Sequence, residues 1–456
     1  MPAPLTRTLA GFVSGLRDDH IPVLATEAIL TGLTDVVGVM FAGVNKPVSK
    51  YALAFIGTRG RVDGARLLLG DQRASANEAA FVNAATLTSV VFDDVAFGGC
   101  HTSGILMPAI FAEAEAIGAS GADVIRAYAA GYEVWARLAE RDPDSYASKG
   151  WHATANFGAF AAAAALSSLH RLDEDATLRA LGLAASMTGG TTAAFDTDAT
   201  PVQVGRASAA GIMAVRLAMS GATAPADALE RPGRGMLVAL SPNGRVDLDT
   251  PVTDLGIKWR LETIGIHCKQ YPFGNMMQRA LDGILDLVRE HDVRPDQVAR
   301  VEALLSEAQF EVVSKSPSVT SFVPGFSVGL AMSAAIINRR AGFEELQPAF
   351  YERSDVRQMM DKVEMKADAA IPADKTPNLG FSGAVRLHLK DSRVLESEPV
   401  TYARGHWTRR MSADERRAKF LACSADHLGE QAAHRLFDQL CDLGSVRAIS
   451  DLNTVP

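Results

Sequence analysis

The sequence predicts a mainly α protein, in which a large discontinuous all-helical domain, a helical bundle, is interrupted by a smaller inserted α+β domain. Three observations lead there. Roughly the first 220 residues are rich in Ala and Leu, with apolar residues recurring at three- and four-residue intervals. Strand-like alternation is concentrated between roughly 290 and 400, and helical patterning returns after Trp407. The expected division is residues 1–268 with 407–456 for the helical domain and 269–406 for the α+β domain. A chain of 456 residues is long enough to give each part its own core.

Taken in order, helices are expected over Ile21–Ala42, Asn77–Val91, Ile105–Ala116, Gly121–Leu138 and Thr154–Leu169. The stretch FGAFAAAAALSSL is apolar on most faces, which implies a helix buried on all sides. Its small residues, Gly158 and Ala161 to Ala165, let neighbouring helices approach, and Thr154 is its expected N-cap. In the second part a helix is expected to begin near Asn275, with further helices at Phe326–Arg339 and Ser354–Lys362. Val301–Leu305 and Ala384–Leu389 alternate as half-buried strands do, and Lys390–Arg393 forms a tight turn into another strand. Ser412 followed by Glu415 makes a capping box for the returning helix.

Composition excludes several classes. With 48% hydrophobic and 21% charged residues the chain is globular, and a net charge of −8 argues against a nucleic-acid footprint. The four cysteines are scattered, so a disulfide framework and a zinc ribbon are not expected. The N-terminus lacks the apolar core of a signal peptide, and no uninterrupted apolar run approaches a membrane span. A cytoplasmic protein without a membrane or nucleic-acid partner is the expectation.

Three stretches carry groups able to do chemistry. In VVFDDVAFGGCHTSG, Asp93, Asp94, Cys100 and His101 fall close together. Adjacent carboxylates on a helix point about 100° apart, so one ion does not readily take both, and no metal is expected. One Asp is expected to end the helix and hold loop amides while the other faces solvent, with Cys100 as packing. His101 follows a Gly-Gly turn and precedes a helix, a placement suited to facing a ligand. In SKGWHATANFGAF, His152 also stands just before a buried helix, where free amides suit anions. In IHCKQYPFGNMMQRALD, His267 and Lys269 precede the Pro272 break at the expected domain boundary, a common location for ligand clefts. A lysine there can neutralise a substrate carboxylate.

These motifs, together and in order, resemble the MmgE/PrpD family of 2-methylcitrate dehydratases, cis-aconitate decarboxylases and iminodisuccinate epimerases. The resemblance rests on LTDVVGVMFAG, NEAAFVNAATLTSVVFDDV, GCHTSGILMPAIFAEAE, GYEVWARL, KGWHATANFGAFAAAAA, GRASAAGIMAVRLA, CKQYPFG and FSVGLAMSAAIINR, and it runs nearly end to end. It implies a helical domain made from both chain ends, an inserted α+β domain, an active site between the two and a homodimer. It also implies chemistry without metal or organic cofactor, removing a proton beside a carboxylate or handling the equivalent carbanion. Carried over by position, His101, His152 and Lys269 are the catalytic candidates. Asp93, Asp94, Thr200, Gln203, Arg206 and Tyr271 are the candidates for substrate binding.

The sequence also departs from the family pattern. Val91 stands at a position usually Asp, Val95 at a Thr, and Thr200 and Gln203 stand at positions of Lys and His. Gly274 replaces a histidine of cis-aconitate decarboxylases, and Leu330 a frequent Tyr. Each buried carboxylate needs a partner, so fewer cations imply a less highly charged substrate. The expected activity is a cofactor-independent lyase, of dehydratase or decarboxylase type, acting on a small mono- or dicarboxylate. The alternatives are a two-base epimerase or isomerase of a dicarboxylate and a catalytically silent metabolite-binding relative.

Overall fold

The computed structural model describes residues 4–57, 64–97, 99–307, 310, 314, 322–371 and 383–453, which are mainly helical with a four-stranded mixed sheet and a two-stranded ribbon. The chain divides into two compact units, Met1–Ile266 with Ser412–Pro456, and His267–Met411.

The first unit holds α1 (Leu5–Gly15), α2 (Val23–Gly43), α3 (Pro47–Ile56), α4 (Ala76–Thr88), α5 (Thr102–Ile117) and α6 (Gly121–Ala139). These are followed by α7 (Ala153–Leu169), α8 (Glu174–Ala185), α9 (Ala199–Met219) and the short α10 (Met236–Leu240) and α11 (Arg260–Thr263). Helix α7 is buried along nearly its whole length, as its all-round apolar sequence requires. Small residues set the spacing around it. A methyl added at Gly158 would lie 2.9 Å from Ile105 of α5, and one at Gly211 of α9 would lie 2.4 Å from the Ala162 methyl. The expectation of an all-helical unit is corrected by a two-stranded antiparallel ribbon, β1 (Ala65–Arg66) with β2 (Arg73–Ala74).

Helix α2 reaches membrane-spanning length, although its apolar run is interrupted, in keeping with the reading that no uninterrupted apolar run does so. Its 21 residues are long and apolar enough by length and composition. The sequence hides this because Thr26, Glu27, Thr31, Thr34 and Asp35 break the apolar run. Within the unit it behaves as a core helix: most of it is buried, and its Asp35 is ion-paired.

The second unit contains α12 (Gln278–Glu290), β3 (Val298–Leu305), α13 (Val328–Asn338), α14 (Pro348–Tyr351), α15 (Ser354–Met360), β4 (Val363–Ala367), β5 (Gly383–Leu389) and β6 (Val394–Glu396). The strand order is β4-β3-β5-β6, with β3 parallel to β4 and antiparallel to β5. Phe273, Leu281, Ile284, Val301, Leu330, Val385 and Leu387 form its core. Strand β4 escaped the sequence reading because it is an edge strand whose residues are all half-buried or exposed, leaving little apolar alternation. The helix expected from Asn275 begins as a single 3₁₀ turn, and α12 proper starts at Gln278.

The chain then returns to the first unit with α16 (Ala413–Leu428) and α17 (Glu430–Cys441). Ser412 accepts from the Glu415 amide while Glu415 accepts from the Ser412 amide, the reciprocal cap read from the sequence.

Candidate active site

In the first unit two loops end on the N-termini of neighbouring helices. Helix α4 stops at Thr88, so Asp93 and Asp94 are not helical, and the chain reverses through Val91 at φ 58°. A β-branched residue is strained in the left-handed region. The turn carries both carboxylates inward. Both are fully buried, which corrects the expectation that one caps α4 and the other faces solvent.

Asp93 Oδ2 lies 2.7 Å from Nδ1 of His101, the residue that caps α5. The aspartate side chain is buried, whereas about a fifth of the imidazole surface remains exposed. With the carboxylate as acceptor, Nδ1 carries the hydrogen and Nε2 keeps its lone pair. Asp94 accepts from the Thr102 hydroxyl at 3.3 Å. Burial, reinforced by Asp35 and Asp93, pushes its carboxyl up to about 8, so it is largely protonated at neutral pH. Cys100 is buried packing, as expected, and burial pushes its thiol up to about 12.

His152 occupies the same position on α7. It is the N-cap there, which corrects the assignment of that role to Thr154. The Thr154 hydroxyl instead accepts from the His101 amide at 3.2 Å and ties the two loops together. His152 Nδ1 lies 2.8 Å from Gln203 Oε1, and Gln203 Nε2 donates to the Thr191 carbonyl at 3.3 Å, which fixes the orientation of the amide. Nδ1 is therefore the donor, and His152 too keeps its lone pair on Nε2. Burial lowers His152 to about 4, with Gln203 opposing and the nearby His101 adding to the fall, so His152 is neutral at ordinary pH.

The remaining candidates of this unit serve the surrounding loops. Arg206 donates from Nη1 to the Met187 carbonyl at 2.7 Å and from Nη2 to the Gly189 carbonyl, and burial lowers its pKa. The Thr200 hydroxyl donates to the Ala194 carbonyl at 2.7 Å. One residue missed by the sequence reading, Lys419, supports the carboxylates. From α16, Lys419 donates to the Phe92 carbonyl at 2.9 Å and pairs with Asp35 at 2.6 Å, its ammonium 3.9 Å from the Phe92 ring centroid. The available signal was a lysine beside Phe420 and one turn before Cys423, on the narrow buried face of a helix that is otherwise largely exposed.

Lys269 and Tyr271 belong to the second unit, on a segment that Gln278 clamps. The Gln278 side chain accepts from the amides of Gln270 and Tyr271 and donates to the carbonyls of Tyr271 and Phe273. Lys269 is buried. The Tyr271 hydroxyl donates to the buried Asp282 at 2.8 Å, and Asp282 also receives Arg404 and Arg409. Among the described residues no group of three or more His, Cys, Asp or Glu side chains has a metal-holding arrangement.

Comparison with known proteins agrees with this arrangement of motifs. Residues 7–249 match the MmgE/PrpD N-terminal domain and residues 271–443 the MmgE/PrpD C-terminal domain. The chain is 25% identical to a cis-aconitate decarboxylase of Mus musculus, covering 92% of this chain and 86% of the relative. It is 24% identical to that of Homo sapiens, covering 99% and 94%, and 27% identical to that of Aspergillus terreus, covering 86% and 84%. With family matches over most of its length, the chain belongs to the MmgE/PrpD family.

Proposed function

We propose that the protein is a cofactor-independent lyase that acts beside a carboxylate of a small mono- or dicarboxylate, with His101 as the proton-transfer group. The observation that carries this reading is the 2.7 Å contact between His101 and buried Asp93. A carboxylate on Nδ1 orients the ring, stabilises the imidazolium and leaves Nε2 to exchange a proton, work that typically contributes about 10²–10⁴-fold. In decarboxylation, the C–C bond to the departing carboxylate breaks as CO₂ leaves. The electron pair delocalises into the retained unsaturated carboxylate, and protonated His101 delivers a proton to carbon. In dehydration, His101 first removes the α-proton and the β-hydroxyl leaves as water. The names of the relatives favour the decarboxylase mode.

Lys269 is the proposed electrostatic partner of the carboxylate, because developing negative charge on a carbon acid needs a cation. Neutral His152 contributes a hydrogen-bonding Nε2 without adding charge. Gln203 and Thr200 stand where family members carry cationic or titratable groups, and here both serve hydrogen bonds inside the first unit. This supports a substrate of lower charge than cis-aconitate. We also infer that the two compact units are the family's two domains and that the working assembly is a homodimer, which light scattering checks.

Proton NMR in D₂O over a panel of mono-, di- and tricarboxylates tests the reading. The expected result is carbon deuteration accompanied by loss of CO₂ or water, both abolished in His101→Gln. Absence of exchange and elimination across the panel refutes it. The two-base epimerase reading has one observation in its favour, the second imidazole with a free Nε2 lone pair at His152. It predicts deuteration with inversion and no elimination.

A further inference from the structure

Helix α9 is apolar on two opposite faces. Its inner face, with Val204, Ala207, Ile212 and Val215, is buried within the first unit. Its outer face carries Val202, Ala209, Met213 and Leu217, at positions i, i+7, i+11 and i+15, which line up in one stripe. Val202, Met213 and Leu217 are exposed. A helix apolar on both sides is normally covered on both. Val202, Ala209 and Met213 form one wall of a cleft of about 740 Å³, and Tyr51 and Phe55 of α3 belong to its other wall. The Phe55 ring packs 5.6 Å from that of Phe81, which also lines the cleft, and Phe55 is still 80% exposed. Tyr51 is 60% exposed.

Relief, area and charge together say what covers this face. Phe55 stands out beside an apolar hollow, so a small ligand lying in the cleft leaves it bare. A second copy of the chain covers both features, because under a two-fold axis each Phe55 enters the cleft of the other copy. Tyr51, Phe55, Val202, Met213 and Leu217 together expose on the order of 500 Å² of side chain, enough for the apolar centre of an interface that takes roughly 800 Å² from each partner. Two charged residues line the cleft, Arg206 and Glu78, and both are engaged within their own chain. Arg206 donates to the Met187 and Gly189 carbonyls, and Glu78 accepts from the Ser75 amide at 3.0 Å. Such a cleft has no charge with which to select an acidic or basic partner or a lipid headgroup.

We propose that the α3–α9 cleft is the face through which two copies of this chain associate, and that each copy steadies the other's Met187–Gly190 segment. This rests on the homodimer inferred above and names its face. Met187 and Arg206 both line the cleft, and Arg206 holds the Met187 carbonyl at 2.7 Å. Arg206 also holds the carbonyl of Gly189. The carbonyl of the next residue, Gly190, accepts from the His152 amide at 3.1 Å and from Asn156 Nδ2 at 2.9 Å. A surface pressed against Met187 and Arg206 limits the movement of the carbonyl that seats His152.

The test is sedimentation equilibrium of the full-length chain at micromolar concentration, in wild type, the double variant Phe55→Asp/Met213→Asp, and Ile257→Asp. Ile257 is a control: it is exposed and in the same unit, and it does not line the cleft. All three side chains are exposed, so the fold should hold, which circular dichroism checks. Wild type and Ile257→Asp should sediment as dimers. The dissociation constant of the double variant should rise about 10²-fold or more, because its carboxylates lose water against an apolar partner. The His152 amide should exchange with D₂O faster in the dissociated variant than in the wild-type dimer. A dimeric wild type whose double variant dissociates no more readily overturns the face and leaves the homodimer. A monomeric wild type overturns both. Neither result bears on the lyase reading, which carbon deuteration decides. Equal exchange of the His152 amide in monomer and dimer overturns the steadying of the segment. Decanoate binding to a monomeric wild type, lost in the double variant, would assign the cleft to a small amphiphile and overturn the proposal.

Discussion

His101 is held to Asp93 through an Nδ1–Oδ2 contact of 2.7 Å, and only the imidazole of the pair reaches the surface. The carboxylate therefore acts through the ring rather than on substrate. Asp93→Asn preserves shape but removes the charge that stabilises the imidazolium, and its amide can present a donor to Nδ1, favouring the wrong tautomer. The expected result is a fall in kcat of about 10²-fold with KM little changed. A variant in which KM rises while kcat holds would place Asp93 in substrate binding instead.

Lys419 and Asp35 form a buried pair with side-chain exposures of 7% and 4%, and the same ammonium holds the Phe92 carbonyl next to Asp93. Lys419→Met leaves a carboxylate in the core without its cation. Breaking such a pair is destabilising by about 3–5 kcal/mol, whereas neutralising both members removes most of the loss. Chemical denaturation should show Lys419→Met strongly destabilised and the Asp35→Asn/Lys419→Met double variant largely restored. Equal stability of the two variants would mean that the pair is not coupled.

Asp94 gives the fold a pH signature whose sign follows from its raised pKa. Its folded-state value, about 8, lies above the ordinary carboxylate range, so the fold favours the protonated form. That contribution is full below about pH 4 and is lost as the pH climbs through about 8. Asp94→Asn cannot ionise and escapes the loss. Relative to wild type it should gain stability between about pH 5 and pH 9, on the order of a few kcal/mol. Denaturation curves measured across that range should diverge; parallel curves would show that Asp94 is already ionised.

The legible parts of this protein are those whose cause is local. The all-round apolar run gives α7, the Ser412–Glu415 spacing gives the cap of α16, and alternation gives β3 and β5. His101 and His152 could be singled out because each precedes a helix, and helix starts expose free amides. Their tautomers could not be read, since these depend on Asp93 and Gln203 arriving at a particular nitrogen. The partner of Lys419 was illegible for a different reason: the lysine reaches Phe92 across 327 residues, and such a contact leaves no periodic trace. The burial of Asp93 and Asp94 is not legible, because nothing local announces that the helix stops at Thr88 and that the chain then turns at a valine with positive φ.

That valine gives the last prediction. Val91 has φ 58°, a region where β-branched residues are rare and where a residue so held stores about 1–3 kcal/mol. The conformation is retained because Asp93 and Asp94 beyond it are buried and bonded, so the surrounding fold determines the turn. Asn adopts the left-handed conformation far more readily than Val, and the Val91 side chain is only half-buried, so little packing is lost. Val91→Asn should therefore raise stability by about 1 kcal/mol. Thermal denaturation reads this as a higher Tm. Because Asn keeps the same turn, the Asp93–His101 contact and kcat should stay as in wild type. Val91→Gly relieves the same strain but frees the unfolded chain, which offsets about 0.5–1 kcal/mol of the gain. A Tm order of Asn above Gly above Val would follow from stored strain, whereas a lower Tm in Val91→Asn would show that the packing of the valine side chain outweighs its backbone strain.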